Sequence, residues 1–81
     1  MNLTDILVYL QVYGCQILRY DKETEAIQEV EFKIGQSTDY YKLIKMLRRN
    51  EFYDIRIDSK QEDVIIATRF VYTEESNLLI N

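Results

Sequence analysis

Leu3, Ile6, Leu7, Leu10 and Tyr13 recur at helical spacing near the start of the chain and predict a helix with one continuous apolar face. Asn2 or Thr4 can cap its start, Asp5 suits the positive end of the helix dipole, and Gly14 is a natural stop. Val8, Tyr9 and Val12 add apolar groups on a second side, so this helix should be deeply covered or share a second contact. The period then changes. Val30, Phe32 and Ile34 alternate with Glu29, Glu31 and Lys33, as on a strand with one buried face. Residues 15–21 and 25–34 therefore predict a hairpin turning around residues 21–24, with Leu18 and Tyr20 inward and Arg19 outward. A competing reading carries the first helix on to Tyr20, because Ile17 extends its stripe.

The second half repeats this order of events. Ser37 or Thr38 is placed to cap a second helix, with Asp39 in its first turn and Arg48 and Arg49 in its last. Tyr40, Leu43, Ile44 and Leu47 form its buried stripe, and Lys42, Lys45 and Arg49 form the opposite one. Residues 53–58 alternate, with Tyr53, Ile55 and Ile57 inward and Asp54, Arg56 and Asp58 outward. Asp58 to Asp63 reads as a turn, and residues 64–72 are apolar at both parities, as in a central strand or one covered on both faces.

The segments LRYDKETEAI (18–27) and IRIDSKQEDVI (55–65) resemble one another, and each lies downstream of a Thr-Asp pair, Thr4-Asp5 and Thr38-Asp39. The chain thus predicts an α+β fold: two αββ units forming a four-stranded antiparallel sheet with two helices on one face, related by a pseudo-twofold axis. A lone hairpin is marginally stable, which is why the two units should share one layer of core. Residues 1–34 would be the first unit and 35–72 the second, within a single domain spanning 1–81. The tail, 73–81, ends in Leu78, Leu79 and Ile80, whereas frayed termini are usually polar. It should contact a sheet edge, a helix groove or another subunit.

Composition agrees with a small globular domain: 81 residues, 47% apolar and 12% aromatic, near the lower size limit for a core without staples. Residues with GC-rich codons are scarce, which suggests an AT-rich genome, as in many low-GC bacteria and their phages. Cys15 has no second thiol to pair with, and thiol poverty fits a reducing cytosol. The apolar stretch Ile6–Tyr13 is far shorter than the roughly 20 residues needed to span a bilayer. It also lacks the basic start and the cleavage site of a signal peptide, so the expectation is a soluble, cytoplasmic protein without membrane contact.

Catalytic chemistry has little to work with. There is no His, the commonest general base and metal ligand near neutral pH, and one Cys cannot build a thiolate cluster. Gly14 and Gly35 stand too far apart to make a phosphate-cradling loop. Cys15 reads as a small buried hydrophobe rather than a nucleophile. Glu29 with Glu31 and Asp54 with Asp58 share sheet faces, where Arg19, Lys33, Arg56 and Arg69 predict cross-strand ion pairs. Neither enzymatic activity nor a cofactor or metal is expected.

Charge carries more information. The net charge is −4, yet residues 21–31 hold five acids against Lys22, and residues 51–63 hold five against Arg56 and Lys60. Residues 39–49 carry Lys42, Lys45, Arg48 and Arg49 against Asp39. Both hairpin tips are therefore acidic and the second helix basic. Candidate partner-binding residues are Asp21, Glu23, Glu25, Glu29, Glu31, Asp58, Glu62 and Asp63, and the expected partner is a protein with a basic, nucleic-acid-binding surface. In size, acidity, lack of His and abundance of Tyr the chain is similar to phage-encoded inhibitors, such as uracil-DNA glycosylase inhibitors and some anti-CRISPR proteins. That likeness of composition, carried by no motif, implies a DNA mimic that acts as a phage or mobile-element inhibitor or regulator.

Two other functions compete. A homodimeric structural or regulatory subunit would associate through the first helix and the apolar tail. A nucleic-acid binder would use the basic face of the second helix, with Tyr40 or Tyr41 for stacking. The acidic whole, with a pI near 4.7, opposes direct nucleic-acid binding.

Overall fold

Each helix begins on a side-chain cap and ends on a left-handed residue. The computed structural model describes residues 1–21 and 26–70. It contains α1 (Leu3–Val12), β1 (Gln16–Asp21), β2 (Ile27–Lys33), α2 (Tyr40–Arg49), β3 (Asp54–Ile57) and β4 (Val64–Phe70). The Asn2 side chain caps α1 by accepting from the Asp5 N–H at 2.8 Å. In α2 the cap is Asp39 rather than Ser37 or Thr38, because the extended Asp39 backbone turns its carboxylate onto the Lys42 N–H at 3.2 Å. The Thr38 hydroxyl instead accepts from the Gly35 N–H at 3.0 Å.

The helix ends match each other. Gly14 (φ 87) lets the Cys15 N–H reach the Leu10 carbonyl at 2.9 Å while its own N–H bonds Gln11 at 3.0 Å. Glu51 (φ 71) does the same after α2, where the Phe52 N–H donates to Leu47 at 3.0 Å and the Glu51 N–H to Arg48 at 3.1 Å. These are two Schellman motifs, and each sends the next residue, Cys15 or Phe52, into the core. Gly14 therefore ends the first helix, and the reading that carried it on to Tyr20 is excluded.

The strands form one antiparallel sheet in the order β1-β2-β4-β3. Leu3, Ile6 and Leu10 of α1 and Leu43, Met46 and Leu47 of α2 join Val30, Phe32, Ile65 and Ala67 of the central strands in one apolar cluster. Both helices thus cover the same face, and the α+β architecture matches the expectation. The element order αββαββ is consistent with two αββ units. The helices and the central strands even begin and end 37 residues apart, Leu3–Val12 against Tyr40–Arg49 and Ile27–Lys33 against Val64–Phe70. The edge strands break that spacing. Tyr20 lies opposite Val30, whereas Ile55, the counterpart of Leu18, lies opposite Ala67. The repeated LRYD and IRID segments are therefore two residues out of step.

Several inward assignments need correction. An irregularity between Ile17 and Arg19 turns Ile17 toward the core and leaves Leu18 44% exposed, while Tyr20 keeps the expected face, opposite Val30, but is exposed on an edge strand. Tyr40 is exposed and Met46 is buried in its stead, since a thioether can be enclosed without the hydrogen-bond partner a phenol needs. Tyr53 precedes the four-residue strand β3, bonds the Glu51 carbonyl, and is 76% exposed. Ile57 sits opposite Ile65 but is exposed, because among the described residues no strand flanks β3 on its outer side. β4 is central, as its apolar run implied. The assignments for residues 71–72 and for the tail with Leu78, Leu79 and Ile80 lie outside the described residues, as do Lys22, Glu23, Thr24 and Glu25.

Candidate binding surfaces

The sheet register decides how the acidic residues are shared out. Ile27 pairs with Phe70 and Lys33 with Val64, so the first hairpin turns at one end of the central strands and the second at the other. Six strand steps separate those ends, about 20 Å. Asp21 is exposed at the first end, and Glu23 and Glu25 follow it outside the described residues. Asp58, Glu62 and Asp63 lie at the second end. There Asp58 accepts from the Lys60 N–H at 2.8 Å, closing its own turn, and Asp63 lies 3.5 Å from the Lys33 ammonium. The two acidic tips are not one patch.

The sheet face turned away from the helices gathers other members of the set. Asp21, Glu29, Thr68 and Asp54 fall in one row across all four strands. Arg19, Glu31, Ile66 and Arg56 form the next. Arg19 reaches Glu29 at 3.7 Å and Arg56 reaches Asp54 at 3.5 Å, cross-strand and same-strand pairs on an exposed surface. The Thr68 hydroxyl donates to Glu29 at 3.4 Å. Beyond the acidic row, Ile27 and Phe70 lie opposite each other, both exposed.

Arg69 does not join these ion pairs. Its parity is that of Ile65 and Ala67, so it enters the helix-covered layer and is 8% exposed. Its guanidinium donates to Gln28 Oε1 at 3.0 Å, the Asn50 carbonyl at 3.0 Å and the Met1 carbonyl at 2.9 Å, and lies 4.7 Å from the Phe52 ring centroid. Burial pushes its pKa down and the Glu51 carboxylate pushes it back up. Cys15 is buried, and burial raises its thiol pKa, against a smaller opposing effect of a hydrogen bond with Thr38.

Between the helices lies a cleft of about 400 Å³. Tyr9 of α1 and Tyr13, the residue that caps its end, line it together with Lys42, Lys45, Met46 and Arg49 of α2. Asn50 closes the cleft together with Met1: its Oδ1 accepts from the Met1 amino group at 3.2 Å and its Nδ2 donates to the Met46 carbonyl at 2.8 Å. No carboxylate lines the cleft, and among the described residues none pairs with Lys42, Lys45 or Arg49. The helical wheel of α2 put these cations on one side. It could not show that Tyr9, from the second apolar side of α1, and Tyr13, from the main apolar stripe, share the cleft with them. Tyr40 and Tyr41, expected as stacking groups, lie outside the lining, and Tyr41 has the Lys45 ammonium 5.1 Å from its ring centroid.

No family model, curated protein or solved structure matches the chain. Among the described residues no helix is long and apolar enough to cross a membrane, and no group of three or more Cys, Asp or Glu is arranged to hold a metal ion.

Proposed function

We propose that this chain is a non-enzymatic protein-binding module whose sheet face receives a basic partner surface. The observation that carries this reading is the row Asp21, Glu29, Thr68 and Asp54, three carboxylates spanning the whole sheet on the side away from the helices. Exposed Ile27 and Phe70 beside it offer apolar area that charge alone would lack. A partner that binds nucleic acid suits such a face, and occlusion of its basic surface would make the chain an inhibitor or regulator in the manner of a DNA mimic, of phage or mobile-element origin. Relative to the sequence reading, the weight moves from the two tips to the strands between them. The triple variant Asp21→Lys, Glu29→Lys, Asp54→Lys, first checked for an unchanged circular dichroism spectrum, should lose capture of its partner from a host lysate. It should also slow association with the identified partner and flatten the salt dependence. Capture at parental levels would refute the reading.

A homodimer is the second reading, and α1 supports it. Val8 and Val12, one turn apart, are 52% and 74% exposed. Light scattering should then report twice the chain mass, falling to one for Val8→Asn with Val12→Asn. A parental chain that is monomeric removes this alternative.

A further inference from the structure

The interhelical cleft belongs to neither reading above, and its lining is selective. Lys42, Lys45 and Arg49 bring three positive charges to one wall with no carboxylate among the lining residues. Their field is therefore available to an outside anion. Tyr9 and Tyr13 line the same cleft from the first helix and its end, with Met46 of α2, itself 7% exposed, among the lining. Cations and aromatic rings lining one cleft suit a ligand that carries both an anionic group and a flat ring. Met46 adds a polarisable sulfur to the apolar part.

Size and long-range charge narrow the class. At about 400 Å³ the cleft lies low in the range of small-molecule sites, roughly 300–1,000 Å³. The net charge of −4 penalises a long polyanion, which feels the whole molecule, more than a small anion held within a screening length of three cations. The cleft is also held in shape: Asn50 is tied at both ends of its amide, and Arg69 anchors the carbonyls of Asn50 and Met1.

We infer that the cleft between α1 and α2 is a binding site for a nucleoside phosphate, with Lys42, Lys45 and Arg49 on the phosphates and Tyr9 and Tyr13 against the base. Calorimetric titration of the full chain with ADP, repeated with inorganic pyrophosphate, adenosine and an oligothymidylate, tests it. Two-dimensional amide NMR locates the site. ADP should saturate a single site at submillimolar to millimolar concentration and shift the amides of Tyr9, Tyr13 and Lys45. Pyrophosphate should bind more weakly and adenosine not measurably. The exposed pair Lys45→Gln with Arg49→Gln should weaken ADP by about tenfold or more while leaving thermal stability unchanged. The outcome fails the proposal if ADP does not saturate, if pyrophosphate binds as tightly as ADP, or if the double variant binds like the parent. An oligothymidylate that binds more tightly than ADP and shifts the same amides would overturn it in favour of a nucleic-acid strand.

Discussion

Gly35 lies against the end of α1, and a Cβ there would sit 2.5 Å from the Gly14 carbonyl oxygen. That oxygen is backbone and cannot swing aside, so Gly35→Ala should cost about 1–3 kcal/mol through forced displacement. Gly14→Ala should cost about 1–2 kcal/mol for a different reason, its left-handed φ of 87. Both would appear in urea unfolding as a lower midpoint with an unchanged slope, and a Gly35→Ala chain as stable as the parent would contradict the close approach. Arg69 makes a second single-residue case. It satisfies two backbone carbonyls and Gln28 at once, which a lysine's compact charge cannot do. Arg69→Lys should therefore lose about 2 kcal/mol or more. Arg56→Gln, which breaks a solvent-exposed pair with Asp54, should change stability by less than about 0.5 kcal/mol. Equal losses for the two would mean that burial of Arg69 contributes nothing.

At the scale of elements, the two helix ends differ in residue but not in conformation. Gly14 occupies the left-handed position after α1 without steric cost, whereas Glu51 holds the same position after α2 with a Cβ. Glu51→Gly should raise stability by up to about 1 kcal/mol, offset in part by the loss of a carboxylate that favours charged Arg69. A thermal midpoint below the parent's would show that the electrostatic contribution outweighs the strain. Local chemistry of this kind explains which elements were legible in the chain. Helical spacing and alternation located both helices and all four strands, because apolar faces declare their period. The edge strands were read less well. Nothing local reveals the irregularity at Leu18 or the two-residue slip of Ile55 relative to Leu18, since register follows from what each strand pairs with. Arg69 was misread: its charge argued for an ion pair on the solvated face, whereas its parity with Ile65 and Ala67 puts it in the buried layer. The second helix end was hidden, because only a glycine announces a left-handed residue. Of the candidate site, the acidic character was plain, but only the antiparallel pairing of β2 with β4 sets Asp21 and Asp58 at opposite ends, and only helix packing brings Tyr9 and Lys45 to one cleft.

At the scale of the molecule, the cations of α2 gather around the interhelical cleft, while a carboxylate row, flanked by Arg19 and Arg56, crosses the far side of the sheet. That arrangement depends on both halves of the chain folding as one body, and the core gives reason to expect it. Val30 and Phe32 of the first half lie opposite Ala67 and Ile65 of the second, and all four side chains are fully buried. Arg69, late in the chain, holds the Met1 carbonyl at its start. Residues 1–34 in isolation would strip α2, β3 and β4 from beside Val30, Phe32, Leu3, Ile6 and Leu10, and one helix on one hairpin cannot recover that burial. A peptide of residues 1–34 should thus show no cooperative thermal transition by circular dichroism, and neither should one of 35–81. Mixed at equal concentration, the two should regain helical signal, with a midpoint that rises as total concentration rises, as association requires. A cooperative transition in 1–34 by itself would show that the first unit is an autonomous domain, and the cleft and the carboxylate row, each built from both halves, would then have to tolerate motion between them.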